Sequence, residues 1–130
     1  MYNTSAKNAY REAEVLSASS GRLLIITFDF LLAQMMRAKV GVEANRNDVV
    51  LPALDKSREA VGELLASVDP AKGGELAHRL VSLYVFVLSE LVEIGRNPDA
   101  ARLERNARII RELRDAFAKA AESHPHAEVA

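Results

Sequence analysis

The sequence has 130 residues, of which 49% are hydrophobic and 27% charged, and this predicts a single globular domain rather than a disordered chain. It contains no cysteine, which excludes disulfide bonds, thiolate zinc sites and cysteine nucleophiles and fits a reducing compartment such as the cytoplasm. The formal net charge of -1 provides no basic surface for phosphate groups, so we expect no nucleic-acid partner.

The first predicted element is a short helix over residues 7–16. The residues before it are polar and lack the apolar core of a signal peptide, so we expect no secretion signal there. The helix would carry a short apolar stripe formed by Ala9, Tyr10, Ala13 and Leu16. A helix of this length is marginal alone in water, so we predict that residues 1–16 form a cap segment docked on the rest of the chain.

The second predicted helix begins near Ser20, where several serines offer hydroxyl N-caps, and ends in the low forties. Its apolar run over residues 23–36 is interrupted by polar side chains and is shorter than the roughly 20 residues of a membrane span. We therefore expect a buried helix and no membrane insertion. A polar turn over residues 43–48 then leads into a third helix, which reaches about Ser67.

The second half of the chain predicts two more helices. Residues 69–74 combine a proline, two glycines and a capping Asp, and this favours a loop. A fourth helix follows over residues 75–95, and Asn97 before Pro98 favours an N-cap for the fifth. Residues 123–130 are predicted to be a flexible tail. The sequence thus predicts an all-α fold, an antiparallel up-down-up-down four-helix bundle with a short N-terminal helical cap.

Two of these helices carry more apolar side chains than a four-helix bundle can bury. One apolar stripe per helix is sufficient, and the third and fifth helices have one. The second and fourth helices are apolar almost all the way around. Two alternatives explain this surplus: it is covered by the N-terminal segment and a twofold partner, or it forms a groove for an amphipathic helix of another protein.

Asp29 is the only charged residue in the long apolar stretch of the second helix. A buried and unpaired carboxylate is costly, so we expect it to reach solvent, a backbone amide or a basic side chain. A second interpretation gives Asp29 a role in binding, at the edge of a groove.

One pattern suggests catalysis. Glu75 and His78 have the Glu-x-x-His spacing of di-iron carboxylate bundles. Such a site needs a second copy of the motif and two further carboxylates, whereas the other histidines, His124 and His126, lie in the tail. No phosphate loop or nucleophile motif is present either. We therefore predict no enzyme activity, cofactor or metal, and a carboxylate-bridged metalloenzyme stays the alternative from the enzyme class.

Several short motifs occur in a characteristic order along most of the chain. They are Ala9-Tyr10, Ala18-Ser19, Phe28-Asp29, Gly73-Gly74-Glu75-Leu76-Ala77, Leu83-Tyr84 and Leu113-Arg114-Asp115-Ala116-Phe117. In this order the sequence resembles the flagellin-specific export chaperones, the FliS family of bacterial flagellar assembly. The family usually has Tyr where Phe28 stands and often Trp where Phe117 stands, so both departures keep an aromatic ring.

The resemblance implies a single, non-enzymatic chaperone domain over residues 1–130 that acts in the cytoplasm. Such a protein binds the disordered C-terminal segment of flagellin, prevents its premature polymerisation and assists its delivery to the flagellar type III export apparatus. An export-gate component is a further expected partner, and we expect a monomer or a weak homodimer. The alternative is a helical adaptor or dimerising bundle with a different protein partner.

Together with the apolar surplus, the resemblance implies a flagellin-binding groove or cap. The residues assigned to it are Tyr10, Leu16, Leu24, Phe28, Asp29, Leu31, Leu32, Met35, Leu80, Tyr84, Val87 and Leu91.

Overall fold

A computed structural model of the chain describes residues 19–123. This part consists of four helices without a strand: α1 (Ser19–Glu43), α2 (Asn47–Ser67), α3 (Pro70–Arg96) and α4 (Ala100–Ser123). Short connections join the helices in an antiparallel up-down-up-down bundle, which confirms the predicted fold class. The predicted cap segment 1–16 lies outside the described residues, as does nearly all of the predicted tail.

The four helices form a ring in which each packs against two neighbours. Helix α1 packs closely against α2 and α4, and α3 completes the ring between α2 and α4. The backbones of α3 and α4 approach each other least closely. The inner stripes of all four helices meet in one apolar core, whose largest fully buried side chains include Tyr84, Phe28, Leu31, Met35, Leu54, Leu64, Leu91, Ile94, Leu103 and Ile110.

The close approach of α1 and α2 depends on a glycine near the end of α1. A Cβ atom added to Gly41 would lie 2.8 Å from Cγ2 of Val50, so a side chain at this position would push the two helices apart. The turn that follows contains Asn45 with a φ of 55°, a left-handed conformation that asparagine tolerates better than most residues. Arg46 closes the turn, because its backbone N–H donates to the carbonyl oxygen of Gly41 at 2.8 Å.

The predicted loop over residues 69–74 is wrong for most of its length, because α3 begins at Pro70. Asp69 caps the helix by accepting a hydrogen bond from the backbone N–H of Ala71 at 3.0 Å. Proline suits the first position of a helix because its fixed φ is already helical and its missing N–H is not needed there. The break that the glycines indicate is confined to Gly74, whose φ of 54° and ψ of -127° interrupt α3. Helix α3 therefore has a short first turn and a long second part over residues 75–96.

The predicted N-cap of the last helix is also wrong by two residues. The backbone N–H of Asn97 donates to the carbonyl oxygen of Glu93 at 2.9 Å, so this residue ends α3. Asp99 takes the capping role, because its Oδ1 accepts a hydrogen bond from the backbone N–H of Arg102 at 3.0 Å. A residue that precedes a proline is kept out of the helical conformation, which places Asn97 in the connection.

Candidate functional site: exposed apolar surfaces

The side of α1 that faces away from the core carries several large apolar side chains, beside the exposed charges of Arg22, Asp29 and Arg37. Ile26, Phe30 and Val40 are 54%, 45% and 55% exposed, and Met36 is 40% exposed. With the exposed Ala33 between them, these residues lie at the three- to four-residue spacing that places side chains on one side of a helix. We call these five residues the α1 outer face. It is an apolar surface that nothing in the described part of the chain covers.

Helix α3 exposes apolar side chains on two sides. Val85 and Val92 are 47% and 41% exposed, and they are seven residues apart on the same side of the helix. Phe86 is 49% exposed on a second side, where it lines a shallow open depression. The same depression is lined by Leu83 and by the polar side chains of Glu75, His78, Arg79 and Ser82. The first side of α3 is thus a strip of two valines with the exposed Ser89 between them, and the second is a mixed apolar and charged surface.

The Glu-x-x-His motif lies on this second surface of α3. The Glu75 carboxylate accepts a hydrogen bond from Nε of Arg79 at 3.4 Å, and His78 is exposed. Among residues 19–123, no three histidine, aspartate or glutamate side chains are close enough together to hold a metal ion. The same residues contain no helix with an apolar stretch long enough to cross a bilayer. The exposed surfaces of α1 and α3 thus combine apolar side chains with charged side chains beside them.

Asp29 lies beside the α1 outer face and reaches a basic side chain, as predicted. Nε and Nη2 of Arg114 on α4 lie 2.9 and 3.4 Å from its two carboxylate oxygens. The hydrogen bond that Arg114 donates to Asp29 is the main reason that the pKa of Arg114 is raised. The aspartate side chain is still 53% exposed, so the pair ties α1 to α4 and leaves a charged group at the edge of the apolar surface.

Helices α3 and α4 are joined by a polar cluster of Glu90, Arg102 and Asn106. The Arg102 guanidinium donates to both Glu90 oxygens, from Nε at 2.8 Å and from Nη2 at 2.7 Å. Nδ2 of Asn106 donates to Oε1 of Glu90 at 3.1 Å and to the backbone oxygen of Arg102 at 3.0 Å. The hydrogen bonds from Arg102 and then Asn106 lower the pKa of Glu90 from 4.5 to about 2. We call these three residues the α3–α4 polar cluster.

Most of the residues assigned to a groove from the sequence lie inside the bundle. Those with at most 4% exposure are Phe28, Leu31, Met35, Leu80, Tyr84, Val87 and Leu91. Leu24 and Leu32 are partly buried against the same core, and Asp29 alone is exposed. Tyr10 and Leu16 lie outside the described residues. In this conformation the buried residues offer no surface to a partner, so contact with one would require the bundle to open.

The exposed apolar side chains are ones that the sequence analysis did not assign to a site. On α1 and α3 they are Ile26, Phe30, Met36, Val40, Leu76, Val85, Phe86 and Val92. A signal for them was present, since on a helix that is apolar all around, the residues opposite the core stripe must be the surplus. To find that stripe one must know which side of each helix faces the core, and this depends on how the neighbouring helices pack.

Comparison with known proteins agrees with the resemblance seen in the sequence. The family model described as "Flagellar protein FliS" matches residues 1–124. A flagellar secretion chaperone FliS of Salmonella typhimurium strain LT2 is 31% identical over 124 residues, which cover 90% of each chain. The Escherichia coli K12 chaperone of the same name is 26% identical over 122 residues, again 90% of each chain. The Pseudomonas aeruginosa flagellar secretion chaperone FliSB is 26% identical over 121 residues, which cover 90% of this chain and 96% of the relative.

Proposed function

The chain belongs to the FliS family of flagellar proteins, and we propose that it is a flagellar secretion chaperone that binds the C-terminal segment of flagellin. The observation that carries this proposal is the apolar surface exposed on α1 and α3 by a bundle whose core is already complete. Exposed and contiguous apolar patches are typical of surfaces that bind another protein. The names of the relatives indicate the biological setting.

The exposed side chains are suited to an amphipathic helical segment. Four large residues of the α1 outer face expose roughly half of their surface, together about 300 to 400 Å². Covering this area would contribute about 8 to 10 kcal/mol before the cost of ordering a flexible segment, which is several kcal/mol. The difference supports reversible binding, as a chaperone that must release its cargo requires.

Binding of this kind explains protection without catalysis. A flagellin segment whose apolar side is covered by α1 or α3 cannot pack against another flagellin, so premature polymerisation is prevented. The protein would work in the cytoplasm as a single domain, a monomer or a weak homodimer, and deliver its cargo to the type III export apparatus. An export-gate component is then a second partner. No enzyme activity is part of this proposal.

Isothermal titration calorimetry of the protein with the C-terminal segment of flagellin from the same organism tests the proposal. The N-terminal segment of flagellin serves as the control. We expect one-to-one binding of the C-terminal segment alone, with a negative heat-capacity change because apolar surface is buried. Absence of binding at about 100 µM, with the protein folded, would contradict the proposal.

The same apolar surfaces also suit the alternative function, a helical adaptor or dimerising bundle with another partner. Sedimentation equilibrium separates the two. A dimer that forms at low micromolar concentration and does not dissociate when the flagellin segment is added would favour the alternative.

A further inference from the structure

The neighbouring helices of the bundle are not packed equally closely. The backbones of α1 and α2, and of α1 and α4, lie close together, whereas α3 and α4 approach each other least. The long part of α3 also has a non-helical residue at each end, Gly74 before it and Asn97 after it. Helix α3 is therefore the element least restrained by its neighbours and by its connections.

We call the boundary between α3 and α4 the seam. The α3–α4 polar cluster joins the two helices across it. The side chains of Glu90 and Arg102 are only 17% and 30% exposed, so their paired hydrogen bonds are partly shielded from solvent. Asn106 is 2% exposed, and its Oδ1 is buried without a hydrogen-bond partner in the described part of the chain. The cluster therefore joins α3 to α4 through hydrogen bonds that must break if the two helices separate.

The inner side of α3 lies behind the cluster. Its buried residues include Leu80, Tyr84, Val87 and Leu91, each at most 4% exposed. Burial raises the pKa of the Tyr84 hydroxyl, as expected for a group kept from water. These are the α3 residues that the family resemblance assigned to a binding groove. They could serve in one only if the seam between α3 and α4 opened.

We propose that residues 75–96 of α3 swing away from α4 about Gly74, and that Glu90, Arg102 and Asn106 form the latch that controls this opening. Helix α4 stays on α1, because Lys39 pairs with Glu104 at 3.1 Å. The Phe28 and Phe117 rings, with centroids 5.4 Å apart, join the same two helices. The opening itself is independent of the function proposed above, whereas its use in holding cargo rests on that function.

The absence of native cysteine makes a thiol reporter of the opening specific. In a Val87→Cys variant the thiol sits on the inner side of α3, where Val87 is fully buried. In a Val50→Cys variant it sits between α1 and α2, where Val50 is 1% exposed. The rate of labelling by an aromatic disulfide reagent reports how often each site opens. Leu91→Cys replaces the first reporter if Val87→Cys does not fold.

The latch is removed with Glu90→Gln, and Lys39→Gln serves as the matched control because it breaks an ion pair between α1 and α4. We expect Glu90→Gln to accelerate labelling of Val87→Cys by about tenfold and that of Val50→Cys by less than about twofold. Lys39→Gln should change neither rate by more than about twofold. Equal acceleration at both reporters, or none at Val87→Cys, would overturn the latch. Arg102→Gln tests the same contact from α4.

A second experiment asks whether cargo needs the opening. A reducible thiol cross-linker joins Glu90→Cys to Asn106→Cys across the seam, and Lys39→Cys to Glu104→Cys in the control. We expect the seam cross-link to weaken binding of the flagellin C-terminal segment by at least about tenfold, with recovery after reduction. The control cross-link should leave binding unchanged. Equal binding with the seam locked would refute the role in cargo binding, whereas failure of the unlinked protein to bind would refute the proposed function and leave the labelling result standing.

Discussion

Replacing Phe30 by serine removes the largest exposed side chain of the α1 outer face. Phe30 is 45% exposed, so roughly 90 Å² of its surface is available to a partner. At about 25 cal/mol per Å², covering this surface contributes about 2 kcal/mol to binding. Phe30→Ser should therefore weaken binding of the flagellin C-terminal segment by roughly 30-fold. It should also lower the free energy of unfolding by up to about 2 kcal/mol, because half of the ring is already packed in the bundle.

Leu51→Ser is the matched control for this variant. Leu51 is 54% exposed on α2, a different helix from those that carry the α1 and α3 surfaces, so its replacement should cost comparable stability and leave binding unchanged. The assay is fluorescence anisotropy of a labelled C-terminal flagellin segment, with urea unfolding of each variant to measure stability. If Phe30→Ser bound as tightly as the unmodified protein, or if both variants lost affinity equally, the α1 outer face would not be the binding surface.

Three further predictions concern stability. The pKa of Glu90 is lowered to about 2 from 4.5, so the ionised carboxylate stabilises the protein fully above pH 4.5, and this effect is lost as the pH falls towards 2. Between pH 6 and pH 2.5, urea unfolding should therefore show a decrease in the free energy of unfolding of about 1 to 2 kcal/mol that Glu90→Gln lacks. Asp99→Ala removes the cap of α4 and should lower the free energy of unfolding by about 1 kcal/mol in urea unfolding followed by circular dichroism. Gly41→Ala should destabilise the protein by about 1 to 3 kcal/mol, and Val50→Ala should restore part of this loss in a double-mutant cycle followed by thermal unfolding.

Most of the helices could be located from the sequence because capping and turn residues close to each helix end determine where it begins. The serines around the start of α1 and the polar turn before α2 mark those helix starts within a few residues of the observed ones. The errors occur where two local rules compete. The sequence rule for proline predicts that Pro70 breaks a helix, yet after a capping Asp69 it is a favourable first residue. Asn97 and Asp99 are both good caps, and the proline between them decides which of the two begins α4.

The α3–α4 polar cluster could not be predicted in the same way. Asn106 lies next to the apolar stripe of α4, and nothing in the sequence around it predicts that it is buried there. Its partner Glu90 lies 16 residues earlier on another helix, where it reads as an ordinary solvated carboxylate. The cluster exists only because the bundle brings the two helices together. Long-range contacts of this kind therefore require the fold before they can be recognised.

The assignment of the binding surface shows a related distinction. Phe28 and Tyr84 belong to motifs that identify the family, and both lie in the core, where side chains determine the fold. A partner outside a closed bundle instead meets the opposite sides of the same helices, such as Phe30 and Val85, which no motif marks. Substitution of a core residue changes folding and binding together and cannot separate them. Substitution at an exposed position, or locking the seam between α3 and α4, can separate them, and the two results together would show how much of the cargo binding comes from the outside of the bundle and how much from its opened interior.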